Sequence, residues 1–209
     1  MSLNNRKNST KIVLGVAILF LGIMAVQFFT RKSPTAYARQ LTTERVQKNG
    51  EFRTSANSPI IEDKRRTFNG LKYFQPDEAY IAKARLEQLG GGDTIILGTT
   101  QGTNRKLLKA GTLIFNLQER EQRLSAFRYL DGPRNTLFIP FKDISSGKTT
   151  YGGGRYLETV VEPGKTIELD FNRAYNPYCV YNDAFVCPLP PLENKLRVEV
   201  LAGEKAYEE

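Results

Sequence analysis

The chain has 209 residues, 40% of them hydrophobic and 25% charged, and contains no histidine. That balance fits one globular domain, and without imidazole there is no Ser-His-Asp or Cys-His catalysis, no HExxH metal site and no histidine pH switch. The formal charge of +8 is concentrated at the start: residues 1–32 hold five cations and no acid, leaving 25 cations against 22 acids in the rest.

An excess that small beyond residue 32 removes the main ground for a nucleic-acid-binding domain. Two cysteines are too few for a four-ligand zinc site. No metal, cofactor or nucleic-acid partner is expected.

The first element runs from Ile12 to Phe29, 18 residues with no charge and one polar side chain, Gln27. As a helix it would be about 27 Å long, close to the ~30 Å hydrocarbon layer. Arg6, Lys7 and Lys11 precede it, and Arg31 and Lys32 follow. Residues 1–32 are therefore expected to be a transmembrane anchor whose partner is the lipid bilayer. Ala36-Tyr37-Ala38 has a cleavage-site form but lies too far past the apolar run, so an uncleaved anchor is favoured. The flanking charges give a mixed orientation signal. The short basic start favours a single-pass protein with its C-terminal domain outside the cytoplasm. Asn8-Ser9-Thr10 fits a glycosylation pattern but would face the cytoplasm.

Residues 33–66 read as a polar stalk. A short helix is expected over 38–49, with Leu41 and Val46 as a poor apolar stripe and Gly50 as its stop. Ser58-Pro59-Ile60-Ile61 is a small apolar landing point, and Lys64-Arg65-Arg66 a solvated basic face. From residue 67 the pattern turns to period two. Tyr80, Ala82, Ala84 and Leu86 alternate with Ile81, Lys83, Arg85 and Glu87. After Gly90-Gly91-Gly92-Asp93, short β-type runs follow at 94–97, 106–109, 112–117, 123–129, 136–141, 156–161, 166–171 and 196–201. Most breaks between them carry Gly, Pro, Asn or Asp, and Pro163-Gly164 marks a hairpin. Residues 67–209 are thus expected to be mainly β, an antiparallel sandwich or barrel of roughly nine strands.

Ser145-Ser146-Gly147-Lys148-Thr149-Thr150 looks like half of a P-loop. The first Gly of GxxxxGK[ST] would fall at Lys142, however, and a strand follows instead of a helix, so nucleotide binding is rejected. Cys179 and Cys187 have seven residues between them. In an exported domain a disulfide there would stabilise by about 2–3 kcal/mol on the chain-entropy model; two reduced thiols are the main alternative, and a redox pair is disfavoured because the spacing is not CxxC and nothing nearby obviously lowers a thiol pKa. The densest polar stretch, Leu169 to Tyr178, holds Asp170, Asn172, Arg173, Tyr175 and Asn176. Such groups either hold a polar or anionic ligand or tie down an irregular loop.

Leu137 to Asp143 with Ser146 to Leu157, Leu169 to Cys179, Cys187 to Asn194, and Ala202 to Lys205 follow one another as blocks. In that order they resemble an uncharacterised bacterial family catalogued as domain of unknown function 1684, over roughly residues 55–205. The resemblance implies no known activity. It directs attention to Asp143, Lys148, Tyr151, Arg155, Tyr156, Asp170, Asn172, Arg173, Tyr175, Asn176, Glu193 and Asn194. These are expected to converge at one mouth of the β-structure, held by a Cys179–Cys187 clip and the stiff Pro188–Pro191 segment.

Three functions compete. The first is a binding module that captures a small polar or anionic ligand with Arg155 and Arg173. The second is a non-catalytic cell-envelope interaction or scaffold protein with a protein partner. The third is a His-independent hydrolase drawing on Asp143, Asp170 or Glu193. An enzyme is the least favoured of the three.

Overall fold

The structure, a computed structural model, describes residues 35–87 and 93–207. The chain divides into two units, residues 1–40 and 41–209. Of the first, the described part is the opening of helix α1 (Ala36–Thr54), where the Thr35 hydroxyl accepts the Ala38 N–H at 3.1 Å as an N-cap. The apolar run at 12–29 lies outside the described residues. No helix among the described residues is long and apolar enough to cross a membrane.

The second unit is mainly β. Its strands are β1 (Ile81–Glu87), β2 (Thr94–Gly98), β3 (Asn104–Leu117), β4 (Arg120–Arg128), β5 (Thr136–Phe141), β6 (Arg155–Val160) and β7 (Ile167–Asp170). They form one antiparallel sheet in the order β6-β5-β4-β3-β1-β7, with β2 also paired to β3. The two ends of that order meet, Thr159 Oγ1 donating to Glu168 O at 2.8 Å. The sheet is therefore a nearly closed barrel. Inside it lie Leu113, Phe115, Leu124, Leu137, Ile139, Phe141, Leu169 and Phe171.

Seven strands replace the nine expected, for two physical reasons. The runs at 106–109 and 112–117 are one strand, β3, interrupted by a bulge between Lys109 and Gly111. That extra residue switches faces, because Leu107 packs outside the barrel while Leu113, of the same parity, packs inside. Residues 196–201 do alternate, with Leu196, Val198 and Val200 buried, but they join no ladder. Scattered partners take their backbone groups instead: Leu196 N–H donates to Lys142 O at 2.8 Å and Val198 O accepts the Ile144 N–H at 3.2 Å, while Arg197 N–H donates to Gln122 Oε1 at 3.2 Å and Val200 N–H to Asp143 Oδ1 at 3.3 Å.

Helix α1 runs past Gly50 to Thr54. Its stripe is not Leu41 and Val46, since Val46 is 66% exposed; the buried residues are Leu41 and Phe52. Phe52 sets its edge against Tyr181, with centroids 5.3 Å apart, in a small cluster with Ile60, Phe68 and Leu71. Cations complete the seat. Arg45 donates to Phe74 O at 2.8 Å and Asn172 O at 3.0 Å, and Lys48 pairs with Glu204 at 2.8 Å. A helix docked through its cations shows little apolar periodicity, which explains the weak sequence signal. A second short helix, α2 (Glu62–Arg65), carries the start of the basic run.

Candidate functional site

Most of the motif-bearing polar residues tie backbone to backbone. Arg155 is sealed, its side chain 0% exposed. It donates to Asp143 Oδ2 at 3.0 Å, Val200 O at 2.9 Å, Glu204 O at 3.1 Å and also Ala202 O. Burial pulls its pKa down while Asp143 holds it up. Arg155 thus has no surface to offer a ligand. Arg173 is exposed and ion-paired with Glu44 and with Asp170.

The amides do the same work. Asn172 exchanges hydrogen bonds with Asp77, donating to its carbonyl at 2.8 Å and accepting its N–H at 2.9 Å. Asn176 donates to Lys205 O at 2.8 Å, and its own N–H meets Glu204 Oε2 at 2.7 Å. Asn194, fully buried, donates to Ser125 O at 2.8 Å and Pro140 O at 2.7 Å and accepts from Ser125 N–H at 2.7 Å. Glu193 is exposed and accepts from Ser125 Oγ at 3.2 Å, and Lys148 is exposed. Asp143, Asp170 and Glu193 therefore each have a different partner. Glu204, absent from the expected set, is a hub: Lys48, the Asn176 N–H and the Tyr181 hydroxyl all reach its buried carboxylate.

Of the expected ligand-facing residues, Tyr175 lines a cleft of about 500 Å³. The fold makes it as follows. Strands β4 to β6 are buried on both faces, so while one set of side chains fills the barrel, Phe127, Phe138 and Tyr156 stack outside it with Leu107. The segment from Tyr175 to Pro188 crosses this outer face. Tyr156 and Tyr175 exchange backbone hydrogen bonds at 2.8 and 2.9 Å, and the Tyr156 hydroxyl donates to Pro188 O at 2.6 Å. Leu189 N–H to Gly98 O at 2.8 Å then pins the proline segment to β2.

The walls are aromatic. Tyr156 meets Tyr175 edge-on at 5.7 Å, and Tyr178 meets Phe185 edge-on at 5.4 Å. Tyr129 adds a further ring, with the Arg105 guanidinium 5.9 Å from its centre. Lys48 lies 5.0 Å from the Tyr175 ring, and Glu158 accepts the Tyr175 hydroxyl at 2.9 Å. Burial, reinforced by Glu158, pushes the Tyr129 and Tyr175 hydroxyls above the ordinary phenol range; Tyr156 is raised mainly by burial. All three are neutral at physiological pH. The cleft thus offers ring faces, neutral hydroxyls and two cations at its edge, chemistry suited to holding a molecule.

Cys187 lies in the cleft wall. Both cysteines are thiols in the structure, with the Cys179 N–H donating to Cys187 Sγ at 3.2 Å. Tyr151 stands beside the pair, its hydroxyl raised by burial first and the two sulfurs second. Sequence reasoning missed Lys48, Arg105, Tyr129, Glu158, Tyr178 and Phe185 as site residues. They are scattered over more than a hundred positions, and only the topology assembles them.

The family described as Protein of unknown function (DUF1684) matches residues 66–205. A solution NMR structure of an uncharacterized protein from Haloarcula marismortui is similar, at 38% identity and a TM-score of 0.64, covering 81% of this chain and 94% of that one. No curated protein matches the chain.

Proposed function

The chain belongs to the family described as Protein of unknown function (DUF1684), and we propose that it is a non-catalytic binding module whose aromatic cleft holds a small ring-bearing anion. The observation that carries this reading is the cleft itself: about 500 Å³ walled by tyrosine and phenylalanine rings, with Arg105 and Lys48 at its edge. Stacking on the rings supplies contact area, and the cations supply charge selection. Residues 12–29 tether the module to a bilayer in this reading, with the domain on the extracytoplasmic side; an uncharged run of 18 residues supports the tether.

Native mass spectrometry of the full chain, purified in mild detergent, tests it. The expected result is a mass excess that disappears on denaturation and is lost in Arg105→Ala and Phe185→Ala variants with unchanged circular dichroism. A bare mass with a co-purifying protein would favour the interaction-protein reading instead. That reading draws on the burial of Arg155, Asn172, Asn176 and Asn194, which makes the motif blocks elements of the fold.

A further inference from the structure

The Cys179–Cys187 segment is held at its Cys187 end and in its middle by the turn that joins β2 to β3. Thr100 N–H donates to Cys187 O at 3.0 Å, Cys187 N–H to Thr100 Oγ1 at 3.3 Å, and Gln101 Nε2 to Asp183 O at 2.7 Å. This clamp brings Cys187 Sγ within 3.2 Å of the N–H of Cys179, eight residues away. It also keeps Phe185 and Val186 in the cleft wall.

We propose that the two cysteines form a thiol–disulfide exchange site for low-molecular-weight disulfides, with Cys187 the attacking thiolate and Cys179 the resolving thiol. The proposal does not rest on the ligand reading. The geometry assigns the roles. Cys187 Sγ receives the Cys179 N–H at 3.2 Å and borders the open cleft. The Tyr156 hydroxyl, the nearest phenol on β6, spends its single proton on Pro188 O. The remaining phenols near the sulfurs, Tyr129 just after β4 and Tyr151, are neutral and raised by burial.

The acidities agree with these roles. Donation from Cys179 brings Cys187 down to about 6, while the same pairing and then burial push Cys179 up. A thiolate at neutral pH beside a protonated thiol is the arrangement exchange requires.

The step balances. The Cys187 thiolate attacks one sulfur of an external disulfide, forming a mixed disulfide and expelling one thiolate. Cys179 gives up its proton and attacks Cys187 Sγ, expelling the second thiolate. Two protein thiols become one disulfide, and one external disulfide becomes two thiols. The product closes the loop that carries Phe185 and Val186, so oxidation would staple the cleft wall.

The test uses the full chain, reduced with dithiothreitol, freed of reductant and exposed to oxidised glutathione at pH 7. Acid-quenched mass spectra are expected to show the wild type two hydrogens lighter with no retained glutathione. Cys179→Ser, which keeps a donor to Cys187, is expected to trap one glutathione on Cys187. That trapping should be roughly tenfold or more faster than adduct formation on Cys179 in Cys187→Ser. Equal or reversed rates, a wild type that carries two glutathiones, or a bond that dithiothreitol cannot open would each overturn the proposal.

Discussion

The Arg155 guanidinium lies 3.0 Å from the Asp143 carboxylate with side-chain exposures of 0% and 1%. An ion pair so sealed cannot be halved without stranding a charge. Arg155→Met is expected to cost about 3–5 kcal/mol of stability, read from urea titrations. Asp143→Asn should cost a comparable amount, because it strands the Arg155 charge and sets an NH2 group against a donor the carboxylate now accepts, either Arg155 or the Ser145 and Val200 N–H groups. Loss of ligand binding with wild-type stability in Arg155→Met would contradict this placement.

Asn194 stands in for a missing piece of sheet. Strands β4 and β5 share a single residue pair, Phe127 with Phe138, and Pro140 on β5 has no N–H to give. The Asn194 amide spans the gap, bonding Ser125 twice and Pro140 once. Asn194→Ala leaves three buried backbone groups unpartnered, and the loss is expected to be about 3 kcal/mol or more. Asn194→Asp should be nearly as harmful, since a carboxylate has no donors for the two carbonyls. Thermal melts of the two variants against wild type check both statements.

The run Gly152-Gly153-Gly154 is not uniform. Gly154 has φ +100, and a Cβ there would lie 2.7 Å from Phe141 O and from Pro190 Cγ, whereas at Gly152 the closest atom is 3.4 Å away. Gly154→Ala is expected to destabilise by more than 2 kcal/mol through strain and clash. Gly152→Ala is expected to stay within about 1 kcal/mol of wild type. Comparable denaturation midpoints for the two variants would refute the assignment.

Five tyrosines give the domain a defined alkaline limit. Burial raises Tyr73, Tyr129, Tyr156, Tyr175 and Tyr181, with Glu204 adding to Tyr73 and Tyr181 and Glu158 to Tyr129 and Tyr175. The folded chain therefore holds these protons more tightly than the unfolded chain. Stability from this source is complete below about pH 10, the ordinary phenol value, and falls as pH rises above it. Each phenol contributes up to about 1.4 kcal/mol per pH unit in that window. Tyrosinate absorbance should appear together with the loss of circular dichroism. Smooth ionisation of all ten tyrosines in a still-folded chain would count against it.

Period two was the readable part of this fold. The alternation of Ala82 and Ala84 with Lys83 and Arg85 shows as burial and exposure along β1. Leu137 to Phe141 reads as a strand, but a continuous apolar run does not reveal that Phe138 faces a second cluster outside the barrel. The bulge beside Gly111 reverses the parity of β3, and nothing in the local pattern announces it. Residues 196–201 alternate like a strand, yet their hydrogen bonds are divided between the backbone of Lys142 and Ile144 and side chains from distant segments.

The cleft was not legible in the sequence for a related reason. Polar density around residues 169–178 is real, but Asn172, Asn176 and Asp170 serve backbone groups brought near by the fold. A ligand would ask for the same residue types. The cleft, in contrast, is built from single aromatics just after β4, on β6 and in the 175–188 segment, each unremarkable in its own neighbourhood.

The strip from Leu196 to Glu204 sets an order of events during synthesis. It supplies Leu196, Val198, Val200 and Ala202 to the barrel interior, along with three carbonyls for Arg155 and the carboxylate that receives Lys48, Asn176 and Tyr181. A nascent chain that already contains all seven strands still holds a guanidinium matched by Asp143 alone, without its three carbonyl partners, inside an unfilled barrel. Folding therefore concludes after residue 204 has left the ribosome, and the domain cannot mature strand by strand as it emerges. A ribosome that stalls after β7 yields a target for proteolysis, with no stable half-domain to rescue.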